Sequence, residues 1–305
     1  MELTRVLKTN DLILMEAAII ESLKRSGKIV LHPELVNALL IYDEVGRIEL
    51  TRFFDDYIGI ARRAGVPIMI CTSTWRANRQ RIKAAGAPSD INADAVAFLR
   101  AVQKRWEPEG TEIYAGGLMG CKNDAYSPKQ SLHADAAAAF HGWQAERLAA
   151  ARPDFLMAAT LPALSEARGM ARAMAATGIP YIISFVINKN GNILDQTPLA
   201  AAFSKIDSAV DPRPLGYMVN CAYPTFLNPG RQPESVFSRL IGYQANASAL
   251  SHDELDSAGA LQAEPVSDWG GRMIELNRCH GVKILGGCCG TGREHLAYIA
   301  DHMTG

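Results

Sequence analysis

The segment Gly286-Gly287-Cys288-Cys289-Gly290-Thr291 sets two adjacent thiols between glycines near the C-terminus. Adjacent cysteines are rarely core filler. A backbone made permissive on both sides by glycine suits a place where side chains converge on an ion or ligand. The preceding Val282-Lys283-Ile284-Leu285 reads as a short buried strand, and Thr291 with Glu294 fits a capping box opening a helix through about Ile299. Both thiols therefore stand where a strand ends and a helix begins. A third, Cys221, ends the apolar run Leu215-Gly216-Tyr217-Met218-Val219-Asn220. Three thiolates from two strand ends suit Zn²⁺ with its fourth position open, the catalytic rather than the structural arrangement.

The elements that must position these thiols alternate along the whole chain. Strand candidates are Leu12–Glu16, Pro67–Thr72, Ile113–Gly117, Asp154–Ala159, Tyr181–Val186, Gly216–Cys221, Leu240–Ala245 and Val282–Gly286. Most are continuous apolar runs, as expected of parallel strands covered on both faces. Amphipathic stretches lie between them, such as Thr51–Ala64, Ala93–Trp106, Ala134–Ala151 and Leu164–Ala176. Several end at a glycine that feeds the next apolar run: Gly65, Gly178 and Gly281. Eight such units predict a single-domain α/β fold over residues 1–305, a (β/α)₈ TIM barrel. An open doubly wound sheet is the alternative, but the chain has no Gly-x-Gly-x-x-Gly after its first strand, no P-loop and no divider rich in Pro, Gly or Ser. In a barrel, Cys221 follows strand 6 and Cys288 and Cys289 follow strand 8, all at the C-terminal mouth where barrel chemistry occurs.

Bulk properties narrow the partners. The 305 residues carry a net charge of −1, with 48% hydrophobic and 21% charged residues. That balance offers no case for nucleic acid or for an anionic membrane surface. No apolar stretch approaches the roughly 20 residues of a transmembrane helix, and Met1-Glu2-Leu3-Thr4-Arg5 lacks the apolar core of a secretory signal. Six cysteines are too few for a disulfide scaffold in a chain this long, and a vicinal pair is at risk under oxidation, so a reducing cytoplasm is the expected location. Cys71, Cys121 and Cys279 are read as ordinary buried or surface thiols. His133 and His141 are read as surface or core, and His280 as lying at the opposite, stability face of the barrel.

The chain resembles the homocysteine S-methyltransferase family nearly end to end. The glycine-flanked cysteine pair with Asn220-Cys221 is the most specific element. Thr72-Ser73-Thr74, Ile183-Ser184-Phe185 leading to Leu194-Asp195-Gln196-Thr197-Pro198, and Tyr243-Gln244-Ala245-Asn246 add weaker support. The resemblance implies a zinc-dependent (β/α)₈ enzyme in which Cys221, Cys288 and Cys289 hold Zn²⁺ and the acceptor's sulfur takes the fourth place. Zinc keeps a thiol deprotonated at neutral pH, where a free thiol, with a pKa of about 8.5, is mostly protonated. Attack on a methyl carried by a sulfonium or quaternary ammonium then needs no general base, only alignment. The expected partners are thus a small thiol acceptor and a cationic methyl donor, within methionine biosynthesis; assembly as a homo-oligomer stays open. A cationic donor favours aromatic faces, and Trp75, Tyr126, Trp143 and Tyr243 form the search list for them.

Departures from the family fall where an amino-acid acceptor should be gripped. The family's Asp-Gly-Gly after strand 1 is Glu16-Ala17-Ala18 here, and its Glu-Thr after strand 4 is Ala159-Thr160. Loss of that carboxylate leaves an acceptor's ammonium unpaired, which costs several kcal/mol when the charge is buried. The methyls of Ala17 and Ala18 also narrow the approach to the backbone. Glu16 either contacts substrate or pairs with Arg76 or Arg79. The residues expected around substrate are Glu16, Ala17, Thr72, Ala159, Thr160 and Asn220. Two other activities compete with thiol methylation: demethylation or lysis of a small onium compound on the same zinc, and a silent zinc-binding barrel.

Overall fold

The apolar runs become eight parallel strands bonded in chain order, with the last returning to the first. The computed structural model describes residues 2–251, 254 and 262–303. The strands are β1 (Ile13–Met15), β2 (Ile68–Cys71), β3 (Ile113–Gly120), β4 (Phe155–Leu161), β5 (Tyr181–Phe185), β6 (Gly216–Ala222), β7 (Leu240–Ala245) and β8 (Ile284–Gly287). Closure is carried by Ile13 and Leu14 of β1, in register with Ile284 and Leu285 of β8. The molecule is a (β/α)₈ barrel of one domain.

Side chains pointing inward fill the barrel as a packed plug. Ile13, Met15, Met69, Tyr114, Phe155, Met157, Ile182, Met218 and Ile284 form it, and Leu3 and Val6 of α1 (Glu2–Thr9) close the bottom. The opposite faces of the same strands pack beneath the surrounding helices. Burial on both faces is why the runs read as uninterrupted rather than alternating.

The helices are α2 (Ile20–Ser26), α3 (Glu44–Ala64), α4 (Arg79–Ala85), α5 (Ile91–Trp106), α6 (Ala134–Ala150), α7 (Leu164–Ala175), α8 (Leu199–Asp207), α9 (Glu234–Phe237), α10 (Val266–His280) and α11 (Arg293–Met303). Helix α3 starts seven residues before its expected boundary, because Asp43 accepts the N–H of Gly46 at 2.7 Å and caps it there. Gly65 and Gly281 cap α3 and α10 with φ of 66° and 69°. No described helix is long and apolar enough to cross a membrane.

The expected capping box at Thr291 is corrected by the structure. Helix α11 begins at Arg293, and the Thr291 hydroxyl instead donates to Cys288 O at 2.6 Å. The Glu294 carboxylate lies against His295 Nδ1 at 3.2 Å. Thr291 therefore braces the cysteine turn rather than the helix.

Candidate metal centre and active site

The Sγ atoms of Cys221, Cys288 and Cys289 all lie within 4.8 Å of one another, although β6 and β8 are separated by β7 in the sheet. Backbone geometry brings them together. Cys221 adopts φ 53° where the β6–β7 register shifts, between Asn220 and Ala222, so a bulge re-aims its side chain. On β8, Cys288 N donates to Ala245 O at 2.7 Å and Cys289 O accepts from Ala247 N at 2.9 Å. Gly287 is required there: a Cβ would stand 2.1 Å from Thr291 Oγ1. Gly290 completes the turn at φ 82°, and its N–H donates to Glu21 Oε2.

The donor set fits one divalent, thiophilic ion. Three sulfurs sharing a tetrahedral zinc at the usual bond length lie about 3.8 Å apart, close to the observed grouping. Their protonation points the same way. Hydrogen bonds from Cys288 and Cys289 hold the Cys221 thiol well below its usual range, while hydrogen bonds with Cys221 and Cys289, and then burial, push Cys288 well above it. Cys221 thus gives up its proton easily and Cys288 resists losing its own, a conflict that a bound cation removes.

Asn220 and Thr160 are committed to Cys221. Asn220 Oδ1 accepts from Thr160 N at 2.9 Å and from Ser184 Oγ at 2.7 Å. Its Nδ2 donates to Thr160 Oγ1 at 2.6 Å and to Cys221 Sγ at 3.2 Å. The Thr160 oxygen is thereby occupied, which turns its own proton toward Cys221 Sγ, 3.9 Å away. Thr160 takes φ 59° at the β4 bulge. The Thr72 hydroxyl accepts from Leu118 N at 2.9 Å and pairs with Thr74 Oγ1 at 2.6 Å, tying β2 to β3.

A cavity of about 330 Å³ opens beside the thiols. The nine residues read from sequence as metal ligands or substrate contacts line it: Glu16, Ala17, Thr72, Ala159, Thr160, Asn220, Cys221, Cys288 and Cys289. Glu16 is 8% exposed, and its Oε2 accepts the Cys71 N–H at 2.7 Å. Burial pushes its pKa up to about 8, although that N–H pulls the other way. No ion pair among the described residues includes Glu16, so of the two alternatives for it the arginine partnership is not the one observed. Arg76 turns away, donating to Cys121 O at 2.9 Å and to Asn123 O at 2.5 Å, and Arg79 is exposed.

Two of the four candidate aromatics reach the cavity. Trp75 donates Nε1–H to Ala159 O at 3.3 Å, and the absence of a Cβ at Gly120 leaves room for its ring. Tyr126 is 37% exposed as a residue, and its hydroxyl hydrogen-bonds Cys221. Burial, then the charge of the neighbouring thiols, raises that phenol well above its usual range. Trp143 and Tyr243 lie elsewhere. Trp143 sits half-buried on α6, and Tyr243 is fully buried with its hydroxyl donating to Tyr223 O at 3.0 Å.

No described histidine lines the cavity. His141 is buried in the core, and His280 ends α10, stacked on Phe237. Sequence reading missed Ile19, Ile20, Glu21, Lys24 and Asn37, which line the cavity from the long connection between β1 and α3. The signal was available: barrel connections of that length are uncommon and usually functional. Cys71, read as an ordinary buried or surface thiol, is buried and also lines the cavity.

The comparisons agree with this geometry. The family model for homocysteine S-methyltransferase matches residues 15–303. The fold is similar to crystal structures of the homocysteine methyltransferase MmuM from Escherichia coli. The oxidized form superposes with a TM-score of 0.76 and the metallated form with 0.74, each at 18% identity over 98% of both chains. Among curated proteins none matches the sequence significantly. The match over nearly the full chain, joined to a thiol cluster at the barrel mouth, makes this protein an S-methyltransferase of the homocysteine S-methyltransferase family.

Proposed function

We propose that this protein moves a methyl group from a sulfonium or quaternary ammonium donor to a small thiol at a zinc site formed by Cys221, Cys288 and Cys289. The observation that carries the reading is the convergence of these three sulfurs at the wall of a cavity edged by Trp75 and Tyr126. When bound, zinc supplies the means to keep the acceptor's sulfur deprotonated at neutral pH. The chain does the rest. Asn220 and Thr160 donate to Cys221 and fix its direction, as partners of metal ligands commonly do. Trp75 and Tyr126 offer aromatic faces to the donor's cationic centre. The floor, with Glu16, Ala17 and Ala159, receives the polar end of the acceptor.

That floor holds one carboxylate where the family has two, and the one present favours its neutral form at pH 7. An ammonium placed there must first ionise Glu16. The pocket therefore favours a thiol lacking homocysteine's full α-amino-acid handle, with homocysteine itself the weaker acceptor. Metal-loaded protein assayed with homocysteine and with aminoless thiols, against S-methylmethionine, S-adenosylmethionine and betaine, tests this by mass spectrometry of the products. A methylated thiol is expected, most abundant with an aminoless acceptor. No methyl transfer with any pair would overturn the activity, and preference for homocysteine would overturn the acceptor assignment.

A further inference from the structure

The segment from 121 to 133, between β3 and α6, carries Tyr126 but has little apolar anchoring. Its regular structure is one short 3₁₀ turn, Pro128–Gln130. Cys121 and Ala125 are its buried residues. A loop so built needs polar anchors to hold one conformation. Glu166, in the first turn of α7 and 1% exposed, supplies them at both ends. Its Oε1 accepts from Lys122 N at 2.8 Å and its Oε2 from Leu132 N at 3.2 Å. One carboxylate thus pins the entry and the exit of the loop.

His141, fully buried on α6, completes the anchor, with Nε2 2.9 Å from Glu166 Oε1. Its Nδ1 has no partner among the described residues, so the tautomer with Nε2–H facing the carboxylate is the one the site selects. Burial opposes ionisation of Glu166, but the donors from His141, Lys122 and Leu132 more than offset it and keep its pKa below the usual value. Inside the loop, Asn123 Nδ2 donates to Gln130 O at 2.7 Å and Tyr126 N to Asp124 Oδ1 at 3.0 Å. Arg76 holds the loop's start and lies over the Trp75 ring, 4.1 Å from its centroid, so both aromatic edges of the cavity share one support.

We propose that Glu166 and His141 are positioning residues: their buried pair fixes the loop that sets Tyr126 over the Cys221 sulfur, and so controls how open the thiol cluster is. Neither residue lines the cavity. The inference concerns the same site as the proposed activity, but its main test needs no methyl transfer.

Glu166→Gln keeps the shape of the side chain and turns an acceptor into a donor. Whichever way the amide is oriented, its NH₂ faces the N–H of Lys122 or of Leu132, and one end of the loop is released. In full-length protein treated with chelator, the rate at which iodoacetamide alkylates each cysteine is followed by peptide mass spectrometry. Cys221 is expected to react about tenfold faster in Glu166→Gln and in Tyr126→Ala, the equivalent of about 1.4 kcal/mol. The double variant should match Tyr126→Ala alone, because one residue acts through the other. Cys279, exposed on α10 and part of neither the loop nor the cavity, serves as the internal control for alkylation and should not change, and the urea unfolding midpoint should stay near wild type. His141→Gln, whose amide nitrogen reproduces the Nε2 donor, should stay near wild type where His141→Leu does not. Unchanged Cys221 reactivity in Glu166→Gln, additive effects in the double variant, or acceleration that only follows a lowered urea unfolding midpoint would each overturn the proposal.

Discussion

The two sides of the cavity are built in opposite ways. On the β6 and β8 side, the polar atoms around the thiols are spoken for: Asn220 makes four hydrogen bonds, and Thr160, Ser184, Thr291 and Glu21 each hold a neighbour in place. On the β1 and β4 side stand Glu16, whose carboxylate among the described residues is bonded through one oxygen to a backbone N–H, and Ala159, which offers no polar side-chain atom. The first side is preorganised and tolerates little change. The second is loosely specified, so a few substitutions there can change the substrate without touching the chemistry.

The sharpest break in this comparison is on the thiol side. Replacing Cys221, Cys288 or Cys289 with serine should release most of the metal and abolish transfer, while the barrel, with its own packed interior, stays folded. Metal analysis beside circular dichroism checks both halves, and full metal content in Cys288→Ser/Cys289→Ser would refute the ligand set. Next in size, Asn220→Ala should weaken metal affinity or activity by roughly 10- to 100-fold, the usual range for a partner of a metal ligand. A chelator competition titration reads it, and an effect below twofold would deny Asn220 that role.

Changes on the acceptor side should be smaller and should alter choice rather than chemistry. Ala159→Glu restores a second carboxylate and is expected to raise the specificity constant for homocysteine by about tenfold, or about 1.4 kcal/mol. Efficient homocysteine turnover by the wild type, unchanged in this variant, would place amine recognition elsewhere. The remaining effect concerns pH and stability rather than substrate choice. With Glu16 raised from 4.5 to about 8, the folded protein binds more protons than the unfolded chain between those values. Its stability should therefore fall as pH rises from about 4.5 to about 8. Melting temperatures of Glu16→Gln should lack that component, and parallel pH profiles for the two proteins would show that Glu16 titrates normally.

Much of this was legible before any coordinates. Continuous apolar runs separated by amphipathic stretches specify parallel strands buried on both faces, because helices must cover each side of such a sheet. That pattern carried the barrel, and the barrel placed Cys221 beside the Cys288–Cys289 turn. Strand order and closure follow from local alternation, so they survive errors of a few residues at the boundaries. Thr291 was misassigned because a Thr-x-x-Glu pattern is the same string whether its hydroxyl caps a helix or braces a turn. Only the approach of β1 to β8 decides between them. Glu16 was offered an arginine for a similar reason: a strand-end carboxylate says nothing about where distant guanidiniums point. Arg76 was drawn instead to the carbonyls of Cys121 and Asn123. Side-chain partners across the barrel mouth are set by the relative placement of loops far apart in the chain. No local pattern encodes that placement, and only the tertiary structure decided it.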